Sequence, residues 1–118
     1  MIYLTEEDIL KIHSYVINTY GGADGVLNEN LIGSIIYSTS YYENIVDITT
    51  SYFCKLVKDH IFRDGNKRTA CLALNMFLEL NGKELTLTNN ELYEMSIDVA
   101  NDKIFDSSVS MKLLTSIK

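Results

Sequence analysis

The stretch HIFRDGNKRTA, residues 60–70, places a histidine, an acid, a glycine, an amide and cations directly before a long apolar run. The run ACLALNMFLELNG, residues 70–82, is apolar on nearly every side of a helix until Asn81 and Gly82 end it. A helix without a polar face is expected to lie buried at the centre of a domain. The polar stretch is therefore predicted to form the turn that leads into a central buried helix.

On the N-terminal side of this turn, apolar residues recur at helical spacing. Thr5 is a candidate N-cap for a first helix that Gly21 ends, and Asn28 is a candidate cap for a second. The polar, aromatic segment YSTSYYEN, residues 37–44, is predicted to be a loop, because its hydroxyls compete for backbone hydrogen bonds. A third helix is predicted from about Ile45 to Asp59, so it ends where the polar turn begins.

On the C-terminal side, KELTL at residues 83–87 is predicted to be a short extended piece. The spacing of Thr88 and Glu91 is that of a capping box, which starts a helix to about Asn101. A last helix is expected after residues 106–108. The chain is thus predicted to be an all-α bundle of about six helices, forming one domain over residues 1–118.

Composition limits the classes of function. The chain of 118 residues has 10 Lys+Arg against 16 Asp+Glu and a net charge of −6, so its overall field repels nucleic acid and no DNA binding is expected. No apolar run approaches the ~20 residues that span a bilayer. The two cysteines lie in apolar helical contexts and form no disulfide framework. A cytoplasmic location is expected.

The predicted turn carries the chemistry of an anion site. A helix N-terminus exposes unpaired N–H groups and the positive end of the helix dipole. Gly65 lets the backbone curl around a phosphate, while Lys67 and Arg68 add positive charge. Asp64 fits beside a polyphosphate only if a divalent cation such as Mg²⁺ lies between them. His60 is expected to reach the same hollow as a base.

These parts are the ones that phosphoryl transfer requires. The alternative is an ordinary helix-start turn with solvated charges, and spacing alone leaves both interpretations open. The stretch is not a Walker A loop or a calcium loop, because neither pattern occurs in it.

The stretch resembles the signature of the Fic/Doc family, H-x-F-x-[DE]-G-N-[GK]-R. His60, Phe62 and the run Asp64–Arg68 match it position by position. Thr69 also matches the Doc branch, whose pattern continues with Lys-Arg-Thr. The resemblance implies an all-α Fic/Doc fold and nucleotide-dependent modification of a target hydroxyl.

Within that family, three positions bear on the branch. Lys67 stands where Fic adenylyltransferases usually carry glycine, and Cys71 stands where they carry a second arginine. Both departures resemble Doc, whereas Gly65 is the Fic residue at a position where Doc commonly has alanine. The Doc resemblance implies a toxin kinase that transfers the γ-phosphate of ATP to a threonine of translation elongation factor Tu. The alternatives are an adenylyltransferase and a non-catalytic binding module.

The resemblance also implies roles for single residues. His60 would activate the target hydroxyl and Asp64 would hold Mg²⁺. Gly65 and Asn66 would shape the anion cradle, with a hydrogen bond from the Asn66 side chain, and the cations at 67 and 68 would grip phosphates. Phe62 would only pack into the core.

Two protein partners are implied as well. A flap ahead of the motif helix, including Tyr37, Tyr41 and Tyr42, is expected to dock the target protein. A Phd-like antitoxin is expected to insert a helix into a groove near the site. His13, on the apolar stripe of the first helix, is predicted to be a packed, hydrogen-bonded histidine rather than a ligand.

Overall fold

Six α-helices connected by short segments make up the computed structural model, which describes residues 1–118, and no strand is present. This confirms the predicted all-α architecture with about six helices. A single 3₁₀ turn, Thr39–Tyr41, follows the second helix. The helices are α1 Glu6–Tyr20, α2 Asn30–Ser38, α3 Ile45–Lys58, α4 Asn66–Leu80, α5 Asn89–Ala100 and α6 Asp106–Ser116.

Local capping fixes where two of the helices begin, as the sequence predicted. The Thr5 hydroxyl accepts the N–H of Asp8, and the Asp8 carboxylate accepts the N–H of Thr5. Thr88 and Glu91 form the same reciprocal pair at the start of α5. Each capping box satisfies two N–H groups that a helix start leaves unpaired.

α4 packs against α1, α3 and α5, which is the central position predicted for it. One of its two apolar stripes is fully buried: Ala70, Ala73, Leu74, Phe77 and Leu78. The second stripe was also predicted to be buried, but Leu72 is half-buried, and Met76 and Leu80 are 37% and 43% exposed. Leu72 and Met76 border an open groove between α1 and α4, so the prediction of burial all round was wrong for this stripe.

The prediction of a loop at residues 37–44 was also wrong over its first half. The hydroxyls of Ser38, Thr39 and Ser40 each donate to the carbonyl three residues earlier. These bonds satisfy carbonyls at the end of α2, so the chain continues as a 3₁₀ turn rather than leaving the helix.

The predicted extended piece at residues 83–87 lies against the C-terminus. Leu85 and Ile117 form an isolated antiparallel bridge, and Glu84 and Lys118 exchange two backbone hydrogen bonds of 3.2 and 2.8 Å. None of the six helices is long and apolar enough to cross a membrane.

Candidate functional site

The motif turn between α3 and α4 is closed by Asn66. Its Oδ1 accepts the Phe62 N–H at 3.1 Å, and its Nδ2 donates to the Phe62 carbonyl at 2.8 Å. Gly65 adopts a left-handed conformation with φ 84°, which glycine tolerates best. The sequence predicted that the Asn66 side chain bonds the anion, whereas in the structure both of its polar atoms bond the Phe62 backbone and hold the turn in shape.

His13 of α1 contacts the motif turn through ring stacking and a hydrogen bond. The imidazole is buried and stacks on Phe62, with ring centroids 3.7 Å apart and planes inclined by 5°. Its Nε2 lies 2.8 Å from the Asp64 carbonyl oxygen. Because a carbonyl only accepts, Nε2 carries the proton and donates. The structure therefore bears out the prediction of a packed, hydrogen-bonded histidine, and shows that its partner is the turn itself.

The N-terminus of α4 leaves its backbone donors free. The first intrahelical bond runs from the Thr69 N–H to the Gly65 carbonyl at 2.9 Å, and no side chain caps the helix. The N–H groups of residues 66–68 therefore have no acceptor in the protein. Lys67 and Arg68 take part in none of the ion pairs. Free donors, a helix dipole and two uncompensated cations together favour an anion.

Asp64 lies beside the start of α4, and one of its two carboxylate oxygens has no donor in the protein. Its Oδ2 accepts the Ala23 N–H at 2.7 Å, while no protein donor bonds Oδ1. The chain has no cluster of three or more His, Cys, Asp or Glu side chains able to hold a metal by themselves. One free carboxylate oxygen beside an anion cradle fits Mg²⁺ bound through one protein ligand and substrate phosphates.

A cavity of about 320 Å³, the main cavity, opens beside the start of α4, between the end of α1, the motif turn and α5. It brings together the predicted residues Asp64, Gly65, Asn66, Lys67 and Arg68. Its other lining residues are Val16, Tyr20, Gly21, Gly22 and Tyr93. Part of the wall of the site is thus built by α1 and α5, which the sequence reasoning did not include.

Tyr20 and Tyr93 are the side chains that the sequence reasoning missed. The Arg68 guanidinium carbon lies 4.1 Å from the ring centroid of Tyr20 and 4.5 Å from that of Tyr93. Tyr20 is the last residue of α1, next to the Gly-Gly that ends the helix, which is the only local signal. Nothing in the sequence around Tyr93 marks it, because its contact with Arg68 depends on how α5 crosses α4.

His60 is exposed and is not one of the residues that line the cavity, although the sequence predicted that it reaches the same hollow. Its backbone is left-handed, with φ 50°. Its carbonyl accepts the Asn28 side chain at 2.9 Å, and the next carbonyl, of Ile61, accepts the N–H groups of Leu27 and Asn28. Asn28, predicted as a helix cap, thus holds the backbone at His60 instead.

The predicted flap residues Tyr37, Tyr41 and Tyr42 are all exposed, and none lines the cavity. The rings of Tyr37 and Tyr41 pack edge to face, with centroids 5.8 Å apart. Their location at the end of α2 and in the 3₁₀ turn leaves both rings exposed to solvent.

The sequence also resembles characterised proteins. Residues 3–78 match the profile of the Fic/DOC family, which is more than half of the chain. Protein kinase doc of Escherichia phage P1 is 29% identical over 116 residues, covering 93% of this chain and 91% of that protein. Toxin Doc of Mycolicibacterium smegmatis is 31% identical over 90 residues, covering 70% of this chain and 67% of that protein. The chain belongs to the Fic/DOC family, and these relatives place it in the Doc branch.

Proposed function

We propose that this protein is the toxin of a toxin–antitoxin pair and acts as a kinase. It transfers the γ-phosphate of ATP to a threonine hydroxyl of elongation factor Tu, which blocks translation. The relative named Protein kinase doc supports the kinase activity, and the relative named Toxin Doc supports the role as a toxin. The observation that carries it is the uncapped start of α4, where free N–H groups and the unpaired Lys67 and Arg68 adjoin the Asp64 carboxylate.

The residues of the site have two roles in phosphate binding: some contact the phosphates, and others hold the turn in place. The N–H groups of residues 66–68 and the two cations bind phosphate oxygens and oppose their negative charge. Asp64, whose Oδ1 has no protein donor, would hold Mg²⁺, and the ion would supply further charge neutralisation when bound. Asn66 and His13 act indirectly, because they fix the turn that carries these groups.

His60 is the proposed base. It accepts the proton of the threonine hydroxyl as the threonine oxygen bonds the γ-phosphorus and the bond to the bridging oxygen of ADP breaks. Its exposure suits this role, since a hydroxyl on a folded protein has to approach from outside the cavity. Asn28 holds the left-handed backbone at His60 through the His60 carbonyl, which restrains the point where the side chain leaves the backbone.

The structure gives a local reason for Gly65, the one residue that resembles Fic rather than Doc. A Cβ atom there would lie 3.1 Å from Cγ1 of Val16 and 3.3 Å from Cδ1 of Ile17. Backbone conformation and packing against α1 therefore account for glycine without reference to the nucleotide. Cys71, where a second arginine would be expected in an adenylyltransferase, is a half-buried thiol that adds no charge.

Labelled nucleotide tests the reaction. The protein is incubated with elongation factor Tu and Mg-ATP labelled on the γ- or the α-phosphate, and the product is weighed by mass spectrometry. A kinase transfers only the γ-label and adds one phosphoryl group to a threonine. Transfer of the α-label would identify an adenylyltransferase, and no transfer with Mg-ATP bound would support a non-catalytic binding module.

The exposed tyrosines near the end of α2 are the proposed docking surface for the target. Replacing Tyr41 and Tyr42 together by alanine is expected to weaken modification of the target protein. Mg-ATP binding should be unchanged, because neither ring lines the main cavity. Unchanged modification would exclude this docking role.

The proposed inhibitor is a Phd-like antitoxin that presents a helix, and both partners would meet this protein in the cytoplasm. A groove of about 430 Å³ between α1 and α4 includes Leu72 and Met76 of the half-exposed stripe. Leu72 also lines a smaller cavity, which shares Tyr20, Arg68 and Tyr93 with the main cavity. Met76→Lys is expected to weaken antitoxin binding and to leave Mg-ATP binding intact.

A further inference from the structure

Arg68 lines the wall of the site, yet it has no acidic partner. It is half-buried and lines both the main cavity and a smaller one of about 100 Å³ behind it. No carboxylate lies within ion-pair distance, and none of its N–H groups donates a hydrogen bond within the protein. The covered part of the guanidinium therefore gains no stabilisation from an acid or an acceptor of the protein.

Two aromatic rings supply the stabilisation instead. The guanidinium carbon is 4.1 Å from the Tyr20 centroid and 4.5 Å from the Tyr93 centroid, both within the range of a cation–π contact. Tyr20 comes from the end of α1 and Tyr93 from α5, so the two rings approach Arg68 of α4 from different helices.

The chemical difference between a ring and a carboxylate matters here. A carboxylate would hold Arg68 in place but would neutralise its charge and occupy its in-plane N–H donors. A ring face restrains the guanidinium while leaving the net charge and those donors available. Arg68 is thus restrained and still able to bind phosphate in a fork.

We propose that Tyr20 and Tyr93 are positioning residues that hold the Arg68 guanidinium ready for the phosphates of the nucleotide. They act through Arg68 and not through contact with the nucleotide. This inference rests on the proposed function, because it assumes that a nucleotide binds in the main cavity.

The test is a set of Mg-ATP dissociation constants measured by titration calorimetry. Tyr20→Leu and Tyr93→Leu are each expected to weaken binding by about 2- to 30-fold, the range of a cation–π contact. Tyr20→Phe and Tyr93→Phe keep the ring faces and are expected to bind nearly as the unchanged protein does. Tyr15→Leu is the matched control, since Tyr15 is also on α1 and is 56% exposed against 54% for Tyr20, but lies outside the cavity.

The same substitutions made together with Arg68→Ala separate the proposal from its rivals. If the tyrosines act through Arg68, their replacement has no further effect once Arg68 is gone. A loss that persists without Arg68 would overturn the proposal, because the rings would then contact the nucleotide directly.

Two other outcomes would also overturn it and differ in what they say of the function. In the first, Arg68→Ala weakens Mg-ATP binding but Tyr20→Leu and Tyr93→Leu do not. That result would exclude only the role of the tyrosines. No Mg-ATP binding by the unchanged protein would remove both this role and the proposed function.

Discussion

The imidazole of His13 lies almost parallel to the ring of Phe62, with centroids 3.7 Å apart, and donates to the carbonyl of Asp64 at 2.8 Å. One side chain of α1 therefore contacts the first and second halves of the motif turn at once. The site geometry depends on this contact, because Asp64 and the start of α4 follow directly from the turn.

Replacing His13 by phenylalanine is expected to keep the stacking and to lose the hydrogen bond. The Asp64 carbonyl would lose its donor, so the free energy of unfolding should fall by about 1–3 kcal/mol. His13→Gln keeps an N–H donor but loses the ring that stacks on Phe62, so it should also be less stable than the unchanged protein. Urea denaturation of the three proteins measures the difference, and equal stability of the phenylalanine variant and the unchanged protein would contradict it.

Gly65→Ala is expected to destabilise the fold more than Gly82→Ala. Both glycines have positive φ, 84° and 69°, but a Cβ at Gly65 would press on Val16 at 3.1 Å, whereas a Cβ at Gly82 would meet nothing within 4 Å. The Gly82 variant should lose about 1 kcal/mol from backbone conformation, and the Gly65 variant about 1–2 kcal/mol more from crowding. Denaturant unfolding measures both losses, and equal values would show that the contact with Val16 relaxes freely.

His60→Asn is expected to lower the rate of phosphoryl transfer by ~10²–10³ and to leave the Mg-ATP dissociation constant unchanged. Asparagine tolerates the left-handed backbone that His60 adopts at φ 50°, so the variant should fold normally. Single-turnover kinetics and calorimetry give the two quantities. A full rate in this variant would rule out His60 as the base.

Asp64→Asn is expected to lower the rate by ~10²–10³ and to raise the Mg²⁺ concentration needed for half-maximal activity. Glu94→Gln is the control, because Glu94 is an exposed acid of α5 that forms no ion pair and does not line the cavity. Activity is measured across a Mg²⁺ titration. The same Mg²⁺ dependence in both variants would show that Asp64 does not hold the ion.

Burial raises the pKa of the Cys54 thiol to about 12 and that of the Cys71 thiol to about 11, from an ordinary value of 9.0. Below pH 9 both thiols keep their protons in the folded and unfolded states. Above pH 9 the unfolded thiols ionise first, so the fold should lose stability between pH 9 and about 12.

The measurement is the free energy of unfolding between pH 7 and 10.5 for the unchanged protein and for Cys54→Ala with Cys71→Ala. The stability difference between them should be constant up to about pH 9 and then shift against the unchanged protein. A constant difference over the whole range would contradict these pKa directions.

The sequence determined the helices because caps and apolar spacing act between residues three or four apart. The capping boxes of Thr5 and Thr88 are caps of this kind, and the apolar spacing of α4 is local in the same way. The predicted loop at residues 37–44 was wrong in part, because the same serine and threonine hydroxyls can continue a helix end as readily as leave it.

The candidate site was predictable to the same extent. The motif places an acid, a glycine and two cations at a helix start, and the structure gathers Asp64–Arg68 around one cavity. The tertiary structure alone decided what surrounds them. His13 and Asp64 are 51 positions apart, and Tyr20 and Tyr93 meet Arg68 only where α1 and α5 cross α4. The angles at which packed helices cross depend on side chains along their whole length, so no local pattern specifies these contacts.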